Sequence, residues 1–442
     1  MSNVPRRCAA ALIAMLAPMA GHGQTSPYYL GVSQTLGYDS NIFRLPDRTE
    51  IAAPGGGVRV IEPESSGLIS TTLLLAGLDQ PIGRQRLYGT LSAGYSSYSD
   101  QPQLDSPLYA LTAGIDWDTA EKLSGNAEFS SGRRIGSFGD RDLPAGRGNN
   151  EEHYDRFTFL ARLGDWKRSR TWLEASFVSD RVSNDVEFLQ PVPHNIDVDP
   201  VTGAPIVRFT DGYRREERSN AATLGVRYRQ SGALVLGAGV RSESRQGEVD
   251  RQLVDPVQSV SSSSESRRND FDLFADFDPG DAHQLQARLS YGNTDYKDSG
   301  AEDFSGWSGS LRWAWRPSGK VESKLWLLYD TEDRERGGAS AAASFGDTQT
   351  VALEWRLRYD LTGKVSANLF ASWYERDYEY FGGFTDRDTA LSLNLTWAAL
   401  RNVSLGCTVG LDRRKSTFQG PAVGRNSYDA RLASCFGQFL LQ

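Results

Sequence analysis

Beyond its first 23 residues this 442-residue sequence holds no long uncharged apolar run. A helical membrane span needs about 20 consecutive apolar residues, and with a mean hydropathy of −0.47 a helical membrane protein is excluded. An excess of positive charge is missing too. The formal net charge is −8, the opposite of the basic balance that grips phosphate backbones, so a nucleic-acid partner is excluded. Histidine is scarce, with four residues in all. His22 lies in the leader, His153 and His194 fall in expected loops, and His283 sits beside an expected tight turn. No expected strand displays the Ser and His pair of a membrane esterase, and Glu151 and Glu152, adjacent in sequence, would point apart on a strand rather than form a glycosidase couple. The expectation is a protein that is not an enzyme and carries no cofactor and no metal.

What is present begins with an export leader. Arg6 and Arg7 precede an apolar run from Cys8 to Ala20 and the small residues Gly21 and Gly23, the layout of a cleaved signal peptide over residues 1–23. Cys8 directly follows the arginines and lacks the apolar and small residues that precede a lipidated cysteine. Loss of the leader removes two positive charges, taking the net charge from −8 to −10. Residues 24–442 then read as one domain, an all-β antiparallel transmembrane barrel of about 18 strands. Only a few residues separate Gln24 from the first strand at Tyr28, so neither a plug domain nor a periplasmic helical-repeat domain is expected ahead of it.

The barrel reading rests on connections that are tight and long in strict turn. Tight ones recur at Asp79–Gly83, Thr119–Glu121, Asp165–Ser169, Gln230–Gly232, Pro279–Ala282, Pro317–Gly319, Thr362–Gly363 and Leu400–Asn402, rich in the Gly, Pro, Asp and Ser that turn stereochemistry favours. Between them lie polar stretches at Asp39–Glu64, Ile135–His153, Ser183–Arg218, Gln246–Arg267 and Ser416–Arg425, expected as outer loops. Strand phase supports the same topology. Phe271, Leu273, Ala275 and Phe277 recur at every second position, as do Tyr109 to Trp117, Val351 to Tyr359 and Leu391 to Trp397, which sets a lipid-facing side. Trp117, Tyr228, Trp315, Tyr359 and Trp397 would form a belt at the periplasmic interface; Tyr95, Tyr291, Tyr329 and Trp373 would form one at the outer interface. A strand of about 13 residues tilted by about 40° spans roughly 33 Å, enough to cross the hydrocarbon. The bacterial outer membrane, with its lipid as a partner, follows. The last residues, Phe439, Leu441 and Gln442, depart mildly from the terminal aromatic on which many such barrels close.

Residues out of phase with the lipid side should line the lumen. The charged candidates are Arg227, Arg229, Asp272, Asp276, Arg288, Arg312, Glu354, Arg356, Arg358 and Asp360. They can bind a polar solute weakly enough to release it, or they can form an internal ladder of ion pairs that only keeps a wide barrel round. Asp270, Asp272, Asp276 and Asp278 alternate like a calcium loop but lie on a strand, where their oxygens do not converge. Cys407 and Cys435 fall in the last two expected strands with their midpoint at Pro421 in the connecting loop. They are either a disulfide across that hairpin or two small apolar side chains facing lipid.

The run Tyr38, Asp39, Ser40, Asn41, Ile42, Phe43 and Arg44 resembles the signature at the start of the EpsL-like outer-membrane barrels of exosortase-associated exopolysaccharide clusters, within the porin-like barrels. Length, layout and the closing hairpin with Cys407 and Cys435 fit the same family. The resemblance implies a role in exopolysaccharide biosynthesis and export, with the barrel as the polymer exit, polysaccharide as cargo, and periplasmic and inner-membrane export proteins as partners. The long stretches Ser183–Arg218 and Gln246–Arg267 would gate the outer mouth. A general or sugar-selective porin and a structural or surface-attachment barrel are the alternatives; fold alone does not choose a solute.

Overall fold

The computed structural model describes residues 26–46, 49–52, 58–61, 66–119, 122–139, 147–165, 168–198, 205–254, 257–280, 282–297, 303–331, 348–378, 383–417 and 427–441. The expected signal peptide lies outside these residues. The strands are β1 (Tyr28–Asp39), β2 (Thr49–Ala52), β3 (Val58–Ile61), β4 (Gly67–Ile82), β5 (Gln85–Tyr98), β6 (Ser106–Thr119), β7 (Leu123–Ile135), β8 (Gly148–Leu163), β9 (Thr171–Val198) and β10 (Pro205–Arg229). They continue as β11 (Leu234–Val254), β12 (Val257–Gly280), β13 (His283–Lys297), β14 (Phe304–Ser318), β15 (Val321–Thr331), β16 (Thr348–Asp360), β17 (Val365–Tyr378), β18 (Phe384–Ala398), β19 (Val403–Ser416) and β20 (Tyr428–Leu441). Strands β2 and β3 pair only with each other. The other eighteen form one antiparallel ring of sequential hairpins, in which β1 joins β4 and closes on β20 from Leu30↔Leu441 to Asp39↔Leu432. Closure leaves no sheet edge, which is what allows a sheet to cross lipid with every backbone group paired.

Phase within the ring separates two environments. Phe271, Leu273 and Phe277, Val351, Leu353, Trp355 and Tyr359, and Leu391, Leu393, Leu395 and Trp397 are all exposed on the outside. An apolar band of this extent is covered by hydrocarbon, and the chain is a transmembrane barrel of the bacterial outer membrane. Tyr228, Trp315, Tyr359 and Trp397 stand exposed beside the tight turns, with Trp117 half-buried against Phe159 at 5.5 Å between ring centroids. Tyr95, Tyr291 and Tyr329 are exposed near the other rim, where Tyr291 meets Trp307 at 5.1 Å. Every expected tight connection falls at the junction of two consecutive strands, but only Gln230–Gly232, Thr362–Gly363 and Leu400–Asn402 lie wholly between them: Asp79–Ile82 belongs to β4, Pro279–Gly280 to β12 and Pro317–Ser318 to β14, and residues 120–121, 166–167 and 281 lie outside the described residues. At the first connection Gly83 has φ +64°, a left-handed conformation that favours glycine.

Two expected loops are strands instead. Ser183–Arg218 belongs mostly to the 28-residue β9 and the 25-residue β10, and Gln246–Arg267 to β11 and β12. His153 and His194 likewise lie in β8 and β9 rather than in loops. The reason is chemical: above the membrane a strand has no lipid to face and therefore no apolar alternation. Cross-strand ion pairs take over, among them Arg133 with Glu151 at 2.6 Å and Arg181 with Glu216 at 2.9 Å. Hydrogen bonds from Arg181 and then Arg218, outweighing a smaller effect of burial, hold the Glu216 carboxyl below the usual carboxylate range.

Cys407 and Cys435 are register partners and are joined by a disulfide. They lie on the outward face, in phase with the exposed Leu36, Leu405 and Val409. At a sequence separation of 28, chain-entropy accounting assigns the bond about 3.5 kcal/mol. The paired substitutions Cys407→Ala and Cys435→Ala should lower the denaturant midpoint of the refolded barrel in detergent micelles accordingly. An unchanged midpoint would show that the bond constrains nothing in the unfolded chain.

Candidate functional site: an apolar stopper above a charged lumen

At the outer end of β1 the chain turns into the barrel instead of away from it. The Asn41 side chain ties the turn: its Oδ1 accepts the Leu45 N–H at 3.0 Å, and its Nδ2 donates to the carbonyls of Leu45 at 2.9 Å and Asp429 at 3.1 Å. The Asn41 N–H donates to Asp39 Oδ1 at 2.8 Å. Arg44 stands at φ +52°, a left-handed conformation uncommon for a residue with a side chain. It is held there by Asp39 at 2.9 Å, by Asp412 at 3.0 Å and by the Asn41 carbonyl. Burial works against the Arg44 charge, but Asp39 and then Asp412 more than offset it and keep the guanidinium above its ordinary value. The Tyr428 hydroxyl donates to the other Asp412 oxygen at 3.4 Å.

This polar latch presents Ile42, Phe43 and Leu45 to the inside, with Phe43 0% exposed. Phe43 meets Phe138 edge-on, with centroids 4.9 Å apart. Leu104, Val186 and Phe188 of β9, Tyr213 of β10 and Val249 of β11 complete one apolar cluster with them. Strand β11 stands eight strands around the ring from β1, so the cluster reaches almost from wall to wall. A Cβ built on Gly139, next to Phe138, would lie 2.8 Å from the Tyr428 hydroxyl; residues 136–139 thus cross from β7 toward β20. Among the described residues, the outer mouth is occupied by a packed apolar stopper.

Below the stopper the inward faces carry charge. All ten lumen candidates lie out of phase with the exposed apolar residues. Asp272, 1% exposed, accepts from Arg288 at 2.7 Å and from Ser290 at 2.5 Å. Arg227 donates to Glu174 at 3.0 Å, approaches Asp276 at 3.4 Å and lies 4.1 Å from the centroid of the Phe274 ring. Arg229 stands 5.7 Å from the Trp172 ring centroid. Glu354 is buried and accepts from the Tyr374 hydroxyl and from Arg356 at 3.4 Å. The exposed Arg358 pairs with the half-buried Asp360 at 3.1 Å, and Arg312 is exposed. Asp270 and Asp272, which alternate like calcium ligands, instead sit in separate ion pairs, Asp270 with Arg268 at 2.8 Å. Among the described residues no group of three or more His, Cys, Asp or Glu is placed to hold a metal ion. His153 and Ser183 are register partners on β8 and β9, with no hydrogen bond between their side chains.

The structure adds residues that strand phase had not singled out. Asp388 holds Arg414 at 2.5 Å and Arg376 at 2.5 Å. Glu243 is buried between Arg241, Arg245 at 2.7 Å and Ser219 at 3.0 Å. Lys324 stands exposed on the inner face of β15, where the apolar Trp326 and Leu328 share its phase and mask the alternation.

No family model and no curated protein matches the chain. Solved structures do. The siderophore receptor PirA from Acinetobacter baumannii is 10% identical over 93% of this chain and 80% of its own, with a TM-score of 0.43. The copper transporter OprC is 8% identical over 94% and 80%, with a TM-score of 0.45. The ferric-catecholate import receptor Fiu from E. coli is 8% identical over 94% and 82%, also at 0.45. The likeness is one of barrel architecture. These neighbours are receptors and transporters for siderophores, copper and ferric catecholate, and none of the three is an exporter of polysaccharide. The expectation of polymer export is corrected accordingly, and with it polysaccharide and the periplasmic and inner-membrane export proteins as partners. The geometry agrees with the correction, because a polymer exit needs a continuous polar path and this mouth is packed with Phe43, Phe138, Val186 and Phe188. The expected gating stretches are corrected too, since they form paired strands.

Proposed function

We propose that the chain is a gated outer-membrane channel through which small polar solutes are taken up, closed at its outer mouth by the Asp39–Leu45 turn. The reading is carried by one observation: Phe43 is fully buried inside an 18-stranded ring, against residues from the opposite wall. A ring of that size leaves room for water, and the charged inner faces suit a hydrated solute that binds weakly and moves on. The stopper faces the cell exterior, so a solute competing for its contacts from outside opens the path inward.

The test is conductance of the full barrel in a planar bilayer. Phe43→Ala removes packing worth about 3–5 kcal/mol, and since every 1.4 kcal/mol is tenfold, the open fraction should rise by about 100-fold or more. The native barrel should be mostly closed and the variant mostly open. A folded Phe43→Ala barrel that conducts no better than the native one would overturn the reading.

A further inference from the structure

The lower lumen is electrically lopsided. On the inner faces of β14 to β16, Arg312, Arg316, Lys324, Arg356 and Arg358 stand with the carboxylates Glu322, Glu354 and Asp360, the fourth inward carboxylate, Asp330 at the outer end of β15, lying toward Arg268 of β12 at 3.8 Å. Glu322 is shared by Arg316 at 2.9 Å and Lys324 at 3.2 Å, and Glu354 is shared by Arg356 and Tyr374. Arg312 has no ion pair among the described residues. Lys324 and Arg356 are direct register partners with side chains 53% and 62% exposed. Like charges placed opposite each other destabilise a sheet, and two exposed cations at one rung gain little from structure. The facing wall has the other sign. Strand β6 stands nine strands from β15, directly across the ring, and around it Asp79 and Asp116 share Arg86, while Glu128 accepts from the Tyr88 hydroxyl at 3.0 Å.

We propose that the β14–β16 wall is an anion-binding subsite that makes the lumen select small oxyanions, carboxylates or phosphates. The inference rests on the channel reading above and specifies its solute. Arg and Lys lining a pore draw anions from water, and a low-dielectric wall of one sign concentrates them locally. The proposal runs against the chain's overall negative charge, so it comes from the placement of side chains and not from composition.

The experiment uses the full-length Phe43→Ala barrel in a planar bilayer across a KCl gradient, at concentrations low enough that the Debye length stays near 10 Å or more. The reversal potential should report a several-fold preference for chloride over potassium. Lys324→Gln with Arg356→Gln should bring the ratio close to one, while Lys324→Arg with Arg356→Lys should keep it, which separates charge from folding. Inorganic phosphate and succinate should reduce the chloride current in the parent and not in the Gln pair, and the stronger of the two identifies the oxyanion class. A conducting parent without anion preference overturns the subsite and leaves the channel standing. A preference that survives in the Gln pair overturns its assignment to this wall. A folded Phe43→Ala barrel that does not conduct overturns both.

Discussion

Arg44→Met should release the stopper and cost the closed mouth about 3–5 kcal/mol, because removing one partner of a buried ion pair leaves the other charge uncompensated. Two carboxylates would be stranded at once, Asp39 and Asp412, which lie within 3.0 Å of the guanidinium and are themselves buried. The turn would also lose the groups that hold residue 44 in its left-handed conformation. The expected result is a barrel that still assembles, conducts without added solute, and is cut by protease within residues 40–46. Adding Asp39→Asn and Asp412→Asn should recover most of the closed state, since replacing every member of a buried charge network is far milder than breaking it. If Arg44→Met alone stayed closed and protease-resistant, the latch would hold nothing.

The latch shows how much of the site was legible in sequence. Tyr38 to Arg44 resembles the start of other barrels, yet its role follows from contacts that strand phase cannot reach. Asp412 and Asp429 lie more than 360 residues away and meet the turn only because β20 closes on β1. One local signal was present. Ile42, Phe43 and Leu45 put three large apolar side chains into a stretch expected to be a polar outer loop, and apolar residues in a loop need burial or function to justify them. Phe138 gave the same signal before Gly139, and the two rings now touch.

The transmembrane part was far more legible, because lipid and water impose opposite demands on alternate residues. Leu391, Leu393, Leu395 and Trp397 face hydrocarbon, while Ser392, Asn394 and Thr396 face inward, where the Thr396 hydroxyl donates to Asn394 Oδ1 at 2.9 Å. Where that contrast ends, so did the reading. The upper halves of β9 to β12 are largely polar on the outward face, carry Ser261 to Ser264 in series, and resemble loops in sequence; their pairing is fixed by cross-strand partners such as Ser261 with Asp250 at 2.5 Å. On β15 the opposite failure occurs, since Trp326 and Leu328 are apolar and face inward, hiding Lys324 beside them. Alternation reports the solvent on each side of a strand, not the strand itself.

Asp388→Ala should be the most damaging single change in the barrel wall. Asp388 is a hub: Arg414 reaches it through Nε at 2.5 Å and Nη2 at 3.1 Å, and Arg376 through Nη1 at 2.5 Å. Arg414 also lies 5.5 Å from the Tyr428 ring centroid, and Tyr428 in turn bonds Asp412 of the Arg44 latch. The alanine variant would strip the buried Arg376 and Arg414 of the carboxylate they share, with Asp386 left as a further negative charge near Arg414, so the loss should be roughly the 3–5 kcal/mol expected for one broken buried pair. Refolding yield into detergent or lipid, read from the shift in mobility between folded and heated samples, should fall sharply. Asp388→Glu should retain more of it than Asp388→Asn, because charge and not shape is what the two arginines need. The Arg376→Met and Arg414→Met changes, each made on top of Asp388→Ala, should restore stability stepwise, and a double-mutant cycle isolates the coupling. Should the alanine variant refold like the native barrel, water in the lumen would be solvating both arginines, and the wall at β17 to β19 would be open where the structure has it packed.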